Sequence, residues 1–227
     1  MDLVLNNVSK SFGNHQVLND INLEFRKGEI VGLLGKNGAG KTTLLNLIAG
    51  LLKPDAGTLE YGKLDYATQL HRAKSKIGYL SEPNPLYDEM YVQESLNFTQ
   101  QLSKAKVETL EEMIIKCELK EVLGKKVSTL SKGYRQRLGL AQSLLHEPEL
   151  LLLDEPSSGL DPKQQQSFYN IIEERKQHGI IIFSSHILSD IKSTVDRIII
   201  INNGKIDKDV NNKFLMENDV ELDFFFN

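Results

Sequence analysis

Three runs in the second half of the chain, Leu150-Leu151-Leu152-Leu153, Ile180-Ile181-Ile182-Phe183 and Ile198-Ile199-Ile200-Ile201, are apolar at every position. Alternating runs bury one face of a sheet. Continuous ones predict strands covered on both faces, as in a parallel sheet flanked by helices. Glu29-Ile30-Val31-Gly32-Leu33-Leu34 and Ile77-Gly78-Tyr79-Leu80 are further strand candidates, and helices are expected over 163–177 and 187–195. Residues 1–27 read differently. Leu3-Val4-Leu5, then Leu18, Ile21, Leu23 and Phe25, with Gly13-Asn14 as a turn, predict an antiparallel pair. Pro54-Asp55-Ala56-Gly57 is a turn before Thr58-Leu59-Glu60-Tyr61, and Asn203-Gly204 is a hairpin signal into Lys205-Ile206-Asp207. From 92 to 123, Leu96, Phe98, Leu102, Leu110, Ile114 and Leu119 recur among polar residues in a helical pattern. That stretch interrupts the strand–helix alternation and predicts an inserted helical lobe.

The run ending at Leu34 passes into Gly35-Lys36-Asn37-Gly38-Ala39-Gly40-Lys41-Thr42 and then Thr43-Leu44-Leu45-Asn46-Leu47-Ile48-Ala49. The first eight match the phosphate-loop pattern G-x-x-x-x-G-K-[ST] in full, in the strand–loop–helix setting it requires. Small residues let successive backbone N–H groups turn around phosphate oxygens, and the new helix aims its positive end at the same point. Lys41 supplies a point charge for the β- and γ-phosphates, and the Thr42 hydroxyl a ligand for Mg2+. The expected ligand is a nucleoside triphosphate. The expected fold is α/β, a P-loop core with a mainly parallel sheet, an N-terminal antiparallel β part and the helical lobe.

Leu150–Leu153 leads directly into Asp154-Glu155. A strand buried on both faces cannot keep carboxylates inside, so they emerge at its carboxyl end, where open α/β sheets bind ligands. Asp154 is placed to hold Mg2+, directly or through water, and Glu155 to orient or deprotonate an attacking water. Ile180-Ile181-Ile182-Phe183 ends in Ser184-Ser185-His186 at the same edge, where His186 could hydrogen-bond a γ-phosphate oxygen or the water. His15, His71, His146 and His178 are read as structural. In Leu130-Ser131-Lys132-Gly133-Tyr134, Ser131 is a candidate N-cap of an amphipathic helix through Leu145, and such a helix start is an anion site.

Composition adds exclusions. The chain has 227 residues, 26% charged, with net charge −4, which offers no electrostatic reason for nucleic acid or an anionic membrane as main partner. The exception is 120–137, where six Lys/Arg meet only Glu121; this is either a solvated helix face or a group close to nucleotide phosphate. Cys117 is alone, which excludes an intramolecular disulfide or a cysteine-rich metal site, and it reads as a small core residue. No secretory signal opens the chain, a reducing cytoplasmic compartment fits, and no apolar stretch could span a bilayer. Membrane association is therefore expected through a partner.

The phosphate loop, Leu130-Ser131-Lys132-Gly133-Tyr134, Leu153-Asp154-Glu155-Pro156, Ser158-Gly159-Leu160-Asp161 and His186 occur in that order. Together they resemble the nucleotide-binding subunit of an ATP-binding cassette (ABC) transporter, over roughly residues 2–208. The resemblance implies an ATPase that binds ATP and Mg2+ and works with a separate transmembrane permease subunit at the inner face of the plasma membrane. By the same resemblance, Phe12 stacks on adenine, Ser131 and Gly133 belong to the signature motif, Asp161 to the D-loop, and His186 is the switch histidine. Two cassettes would pair head to tail, as a homodimer or a heterodimer, each ATP lying between one phosphate loop and the other signature helix. One domain is implied: an antiparallel part over about 1–28 and 57–66, a helical lobe over about 84–145, a RecA-like core, and a tail from 209 to 227. Three adjacent Phe near its end suggest a packed strand, with partner contact left open.

Two motifs depart from the family pattern. Glu82 stands where glutamine is usual, and a carboxylate there can still accept from bound water or coordinate Mg2+ while adding negative charge. Lys132 and Tyr134 replace the commonest signature residues, and a Lys here resembles the subgroup serving bacterial drug, antibiotic and peptide exporters. By resemblance, the stretch with Tyr87, Met90 and Tyr91 docks a membrane subunit; ordinary packing within the lobe is its other reading. The competing function is a soluble ABC-type ATPase acting on ribosomes or DNA. Against it, Lys41 and Ser131 are not separated by a coiled coil, and the chain carries one cassette.

Overall fold

A computed structural model describes residues 2–187 and 193–211. Two sheets share the interior. A four-stranded antiparallel sheet has the order β2-β1-β4-β5, built from β1 (Leu3–Phe12), β2 (His15–Phe25), β4 (Ala56–Tyr61) and β5 (Leu64–Asp65). A six-stranded sheet has the order β10-β9-β3-β8-β7-β6, with β3 at Ile30–Leu34, β6 at Ile77–Leu80, β7 at Leu150–Leu153, β8 at Ile180–Ser185, β9 at Arg197–Asn202 and β10 at Lys205–Asn211. All its pairs are parallel except β9 with β10. Among the described residues there are six α-helices: α1 (Lys41–Ile48), α2 (Tyr66–Lys74), α3 (Val92–Ser103), α4 (Val107–Lys116), α5 (Lys132–Leu144) and α6 (Pro162–Arg175).

The continuous apolar runs are explained by what lies on each face. Leu151, Leu153, Ile181, Phe183, Ile198 and Ile200 pack into a core shared with α3–α6. Their neighbours Leu150, Leu152, Ile180, Ile182, Ile199 and Ile201 belong to a second core with α1 and the antiparallel sheet. Because side chains alternate across a strand, only an unbroken apolar run can serve both layers. The two turns expected from sequence close hairpins: Phe12 pairs with His15 across Gly13-Asn14, and Asn202 with Lys205 across Asn203-Gly204.

The helical stretch expected over 92–123 is α3 and α4, followed by a short 3-10 turn at Lys120–Val122. Helix α2 was not expected. Tyr66 and Ala73 are buried and Leu70 packs half-buried against the same core, a stripe of only three positions, and Asp65 starts the helix by accepting from the Ala67 N–H at 2.8 Å. The expected tail start at 209 lies within β10, whose pairing with β9 runs to Asn211 ↔ Arg197. Most of the helix expected over 187–195, and the Phe-rich end, lie outside the described residues.

Candidate functional site

Parallel pairing brings the chemistry-bearing residues to one sheet edge. β3, β6, β7 and β8 point the same way, so the segments after Leu34, Leu80, Leu153 and Ser185 emerge together. Asp154 and Glu155 do not lie directly beside the phosphate-loop strand, because β8 runs between β3 and β7.

The phosphate loop is held open by tight backbone packing. Gly40 has φ 111°, and a Cβ there would sit 2.7 Å from Leu18 Cδ2, so only glycine fits both the turn and the space. A Cβ on Gly35 would meet the Ile201 carbonyl oxygen at 2.4 Å. The Asn203-Gly204 turn supports the same loop, since Gly204 N–H donates to the Ala39 carbonyl at 3.2 Å. A cleft lined by His15, Val17, Asn37, Gly38, Gly40, Lys41, Thr42, Thr43, Glu82 and Glu155 opens beside it. The loop residues Lys36 and Ala39 act through backbone: Ala39 N–H donates to the Lys36 carbonyl at 3.1 Å.

Lys41 is only 6% exposed. Its ammonium donates to the Gly35 carbonyl at 2.7 Å and lies 3.5 Å from Glu155 Oε1. The other Glu155 oxygen, Oε2, is 2.7 Å from His186 Nδ1. Glu155 itself has φ 46°, an uncommon conformation for a residue with a Cβ, and its N–H donates to Ser184 Oγ at 2.9 Å. Asp154 is 1% exposed and its Oδ1 accepts from Ser184 Oγ at 2.6 Å. Neither Asp154 Oδ2 nor Glu155 Oε1 has a hydrogen-bond partner among the described residues. Asp154 and His186 are not themselves lining residues of the cleft, but both adjoin Glu155, which is. A buried carboxylate oxygen left over there fits a divalent cation: Mg2+ takes one or two protein oxygens and completes its shell from phosphates and water. No cluster of three or more His, Cys, Asp or Glu with metal-holding geometry occurs among the described residues.

The remaining expected residues sit elsewhere. Ser131 caps α5, accepting from the Tyr134 N–H, and Asp161 caps α6, accepting from the Gln164 N–H at 2.9 Å. Gly133 lies against Gln164, whose Oε1 would be 2.6 Å from a Cβ at that position. None of Ser131, Gly133 and Asp161 lines the cleft. Phe12, half-exposed, stands at the hairpin tip with Lys10 Nζ 5.7 Å from its ring centre and is not among the lining residues either. Its cross-strand partner His15, expected from sequence to be structural, is one of them. The hairpin signal at Gly13-Asn14 places the two side by side and could have found it.

The two departures from the family pattern meet. Lys132 Nζ lies 3.8 Å from Glu82 Oε1 and donates to Ser158 Oγ at 2.6 Å. The rest of the basic run is mostly tied down within the lobe: Arg135 to Asp88 at 2.6 Å, Arg137 to Glu118 at 2.7 Å, with the Arg137 guanidinium over the Tyr134 ring. Cys117 is buried, and burial pushes its thiol up to about 12. Tyr87 and Tyr91 are exposed, Tyr87 packing edge-on against Phe98. No helix among the described residues is long and apolar enough to cross a membrane.

The family model described as ABC transporter matches residues 18–158. An uncharacterized ABC transporter ATP-binding protein, YdbJ of Bacillus subtilis (strain 168), is 37% identical over 211 residues, covering 92% of this chain and 68% of that protein. The bacitracin transport ATP-binding protein BcrA of Enterococcus faecalis is 38% identical over 213 residues, covering 90% and 68%. A solved structure of an ATP binding subunit of an ABC transporter superposes with a TM-score of 0.88 at 26% identity, covering 100% of this chain and 98% of that one.

Proposed function

Because the chain belongs to the ABC transporter family, as one of its ATP-binding proteins and an ATPase, we propose that it powers export of a substrate through a separate transmembrane permease subunit. The observation that carries the catalytic part is the convergence of Lys41, Thr42, Glu82, Asp154, Glu155 and His186 at one sheet edge. Family membership supports the transport part, and the signature Lys132 together with the relative named for bacitracin transport supports its outward direction.

In this proposal the loop from Gly35 to Thr43 wraps the triphosphate with backbone N–H groups, and Lys41 gives up the Gly35 carbonyl for phosphate oxygens. Thr42, Asp154 and Glu82 would hold Mg2+, which when bound neutralises charge on the β- and γ-phosphates. Glu155 orients the attacking water and takes its proton, while His186 braces that carboxylate through Nδ1. Phe12 stacks on the adenine. Ser131, Gly133 and Asp161 lie away from the cleft because they serve the ATP of a second cassette, in a homodimer or heterodimer that closes on nucleotide. The chain acts as one nucleotide-binding domain, held at the inner face of the plasma membrane by its permease.

A tagged chain, expressed in its native cells and recovered from detergent-solubilised membranes, tests the partner. Co-purification of one integral membrane protein, whose loss abolishes membrane association, is the expected result. Recovery of ribosomes or DNA in its place would overturn the transporter reading in favour of a soluble ATPase.

A further inference from the structure

Between the phosphate-loop strand and the Asp154 strand lies a residue that neither motif contains. Ser184 sits on β8, paired in register with Leu33 of β3, one residue beyond Phe183, which pairs with Leu153 of β7. Its relative exposure is 0%. A hydroxyl buried at the end of a mostly apolar strand is unfavourable unless its hydrogen bonds are made. Here both capacities are used. The single O–H donates to Asp154 Oδ1 at 2.6 Å, a distance in the charge-assisted range, and a lone pair accepts the Glu155 N–H at 2.9 Å. Ser185, next along the strand, spends its hydroxyl on its own chain, with the Ile187 N–H and carbonyl.

The consequence is directional. With Oδ1 committed to Ser184, the Asp154 carboxylate cannot rotate freely, and it presents Oδ2, the oxygen without a hydrogen-bond partner. The same hydroxyl ties down the backbone at Glu155, the residue held at φ 46°. We infer that Ser184 is a positioning residue: one hydroxyl orients the Asp154 carboxylate for Mg2+ and fixes the backbone that aims Glu155. The inference rests on the proposal that Asp154 holds the metal. It concerns the chain's own hydrogen bonds and not turnover alone, because partners of metal-holding groups set metal affinity by about 10- to 100-fold.

The test uses the full chain and a fluorescent, non-hydrolysable ATP analogue, comparing affinity with Mg2+ and in EDTA. Ser184→Ala should lose about tenfold or more of the Mg2+-dependent gain while keeping the metal-free affinity and a cooperative melting transition. Ser184→Thr keeps the hydroxyl and should restore most of the gain. Equal losses in the Ala and Thr variants, or a loss in Ala that appears equally in EDTA, would overturn the inference, since shape and not the hydroxyl would then matter. Asp154→Asn separates the two claims. A loss there with none in Ser184→Ala overturns the role of Ser184 alone. A loss in neither overturns the Asp154 assignment and the inference with it.

Discussion

Glu155→Gln exchanges one carboxylate oxygen for an amide nitrogen and leaves size and backbone untouched. The N–H bond to Ser184 and the positive φ stay, so the fold and the cleft should survive. What disappears is a negative charge, 11% exposed, 3.5 Å from Lys41 Nζ and in contact with His186. Two effects follow with opposite signs. For chemistry, a positioned general base contributes about 10²- to 10⁴-fold, and the low exposure leaves bulk water little chance to substitute. Turnover should therefore fall about 10³- to 10⁴-fold, equivalent to about 4–5.5 kcal/mol. For binding, unit charges 3.5 Å apart at an effective dielectric of about 20 attract by roughly 5 kcal/mol before desolvation, so Glu155 competes with the triphosphate for Lys41. Removing it should leave ATP affinity unchanged or raise it, by up to about tenfold. Steady-state ATPase rate, ATP affinity and oligomer mass in Mg·ATP measure all three, with a nucleotide-bound dimer expected for the variant. Turnover at the parental rate would take Glu155 out of the role, and a folded variant that no longer binds ATP would refute the electrostatic argument.

Lys41→Ala should weaken ATP binding by about 100-fold, from about 1.5–3 kcal/mol per charged hydrogen bond lost to phosphate; unchanged affinity in a direct binding assay contradicts the loop assignment. The Glu82–Lys132 pair, 3.8 Å apart with side chains 46% and 59% exposed, should show a coupling of about 0–1 kcal/mol in a denaturation double-mutant cycle with Glu82→Gln and Lys132→Gly. A coupling near 3 kcal/mol would make it a structural strut. Burial lowers His146 below its ordinary value of 6.5, against the pull of the Ile77 carbonyl 3.1 Å from Nε2. The unfolded chain then binds more protons below about pH 6.5, so stability rises with pH through that window and is lost on acidification. Melting temperatures from pH 7.5 to 5.5 should fall less steeply in His146→Gln than in the parent, and parallel curves would remove His146 from the acid response.

The legible features were those set within a few consecutive residues. The phosphate loop needs glycines at fixed offsets after a strand, and Gly40, at φ 111° against Leu18, shows why no other residue could stand there. The doubly covered strands announced themselves because both faces of each meet a core. Helix α2 escaped notice because it is short, and its stripe of Tyr66, Leu70 and Ala73 is only three residues among polar neighbours, too brief a pattern to stand out in the sequence. His15 escaped because a histidine at a hairpin tip has no intrinsic mark, and its place in the cleft wall comes from the neighbour across the turn.

From the sequence alone came the family resemblance, the layered α/β core and the list of residues able to grip a triphosphate. Local conformation and burial pattern are written into neighbouring side chains. Strand order is not. Only the tertiary structure put β8 between β3 and β7, and with it Ser184 against Asp154 and Glu155. It likewise brought Lys132 to Glu82 from 50 positions away and separated Ser131, Gly133 and Asp161 from the cleft. Those relations depend on which backbones share hydrogen bonds across the sheet, and hydrophobic periodicity along one strand does not specify its neighbour.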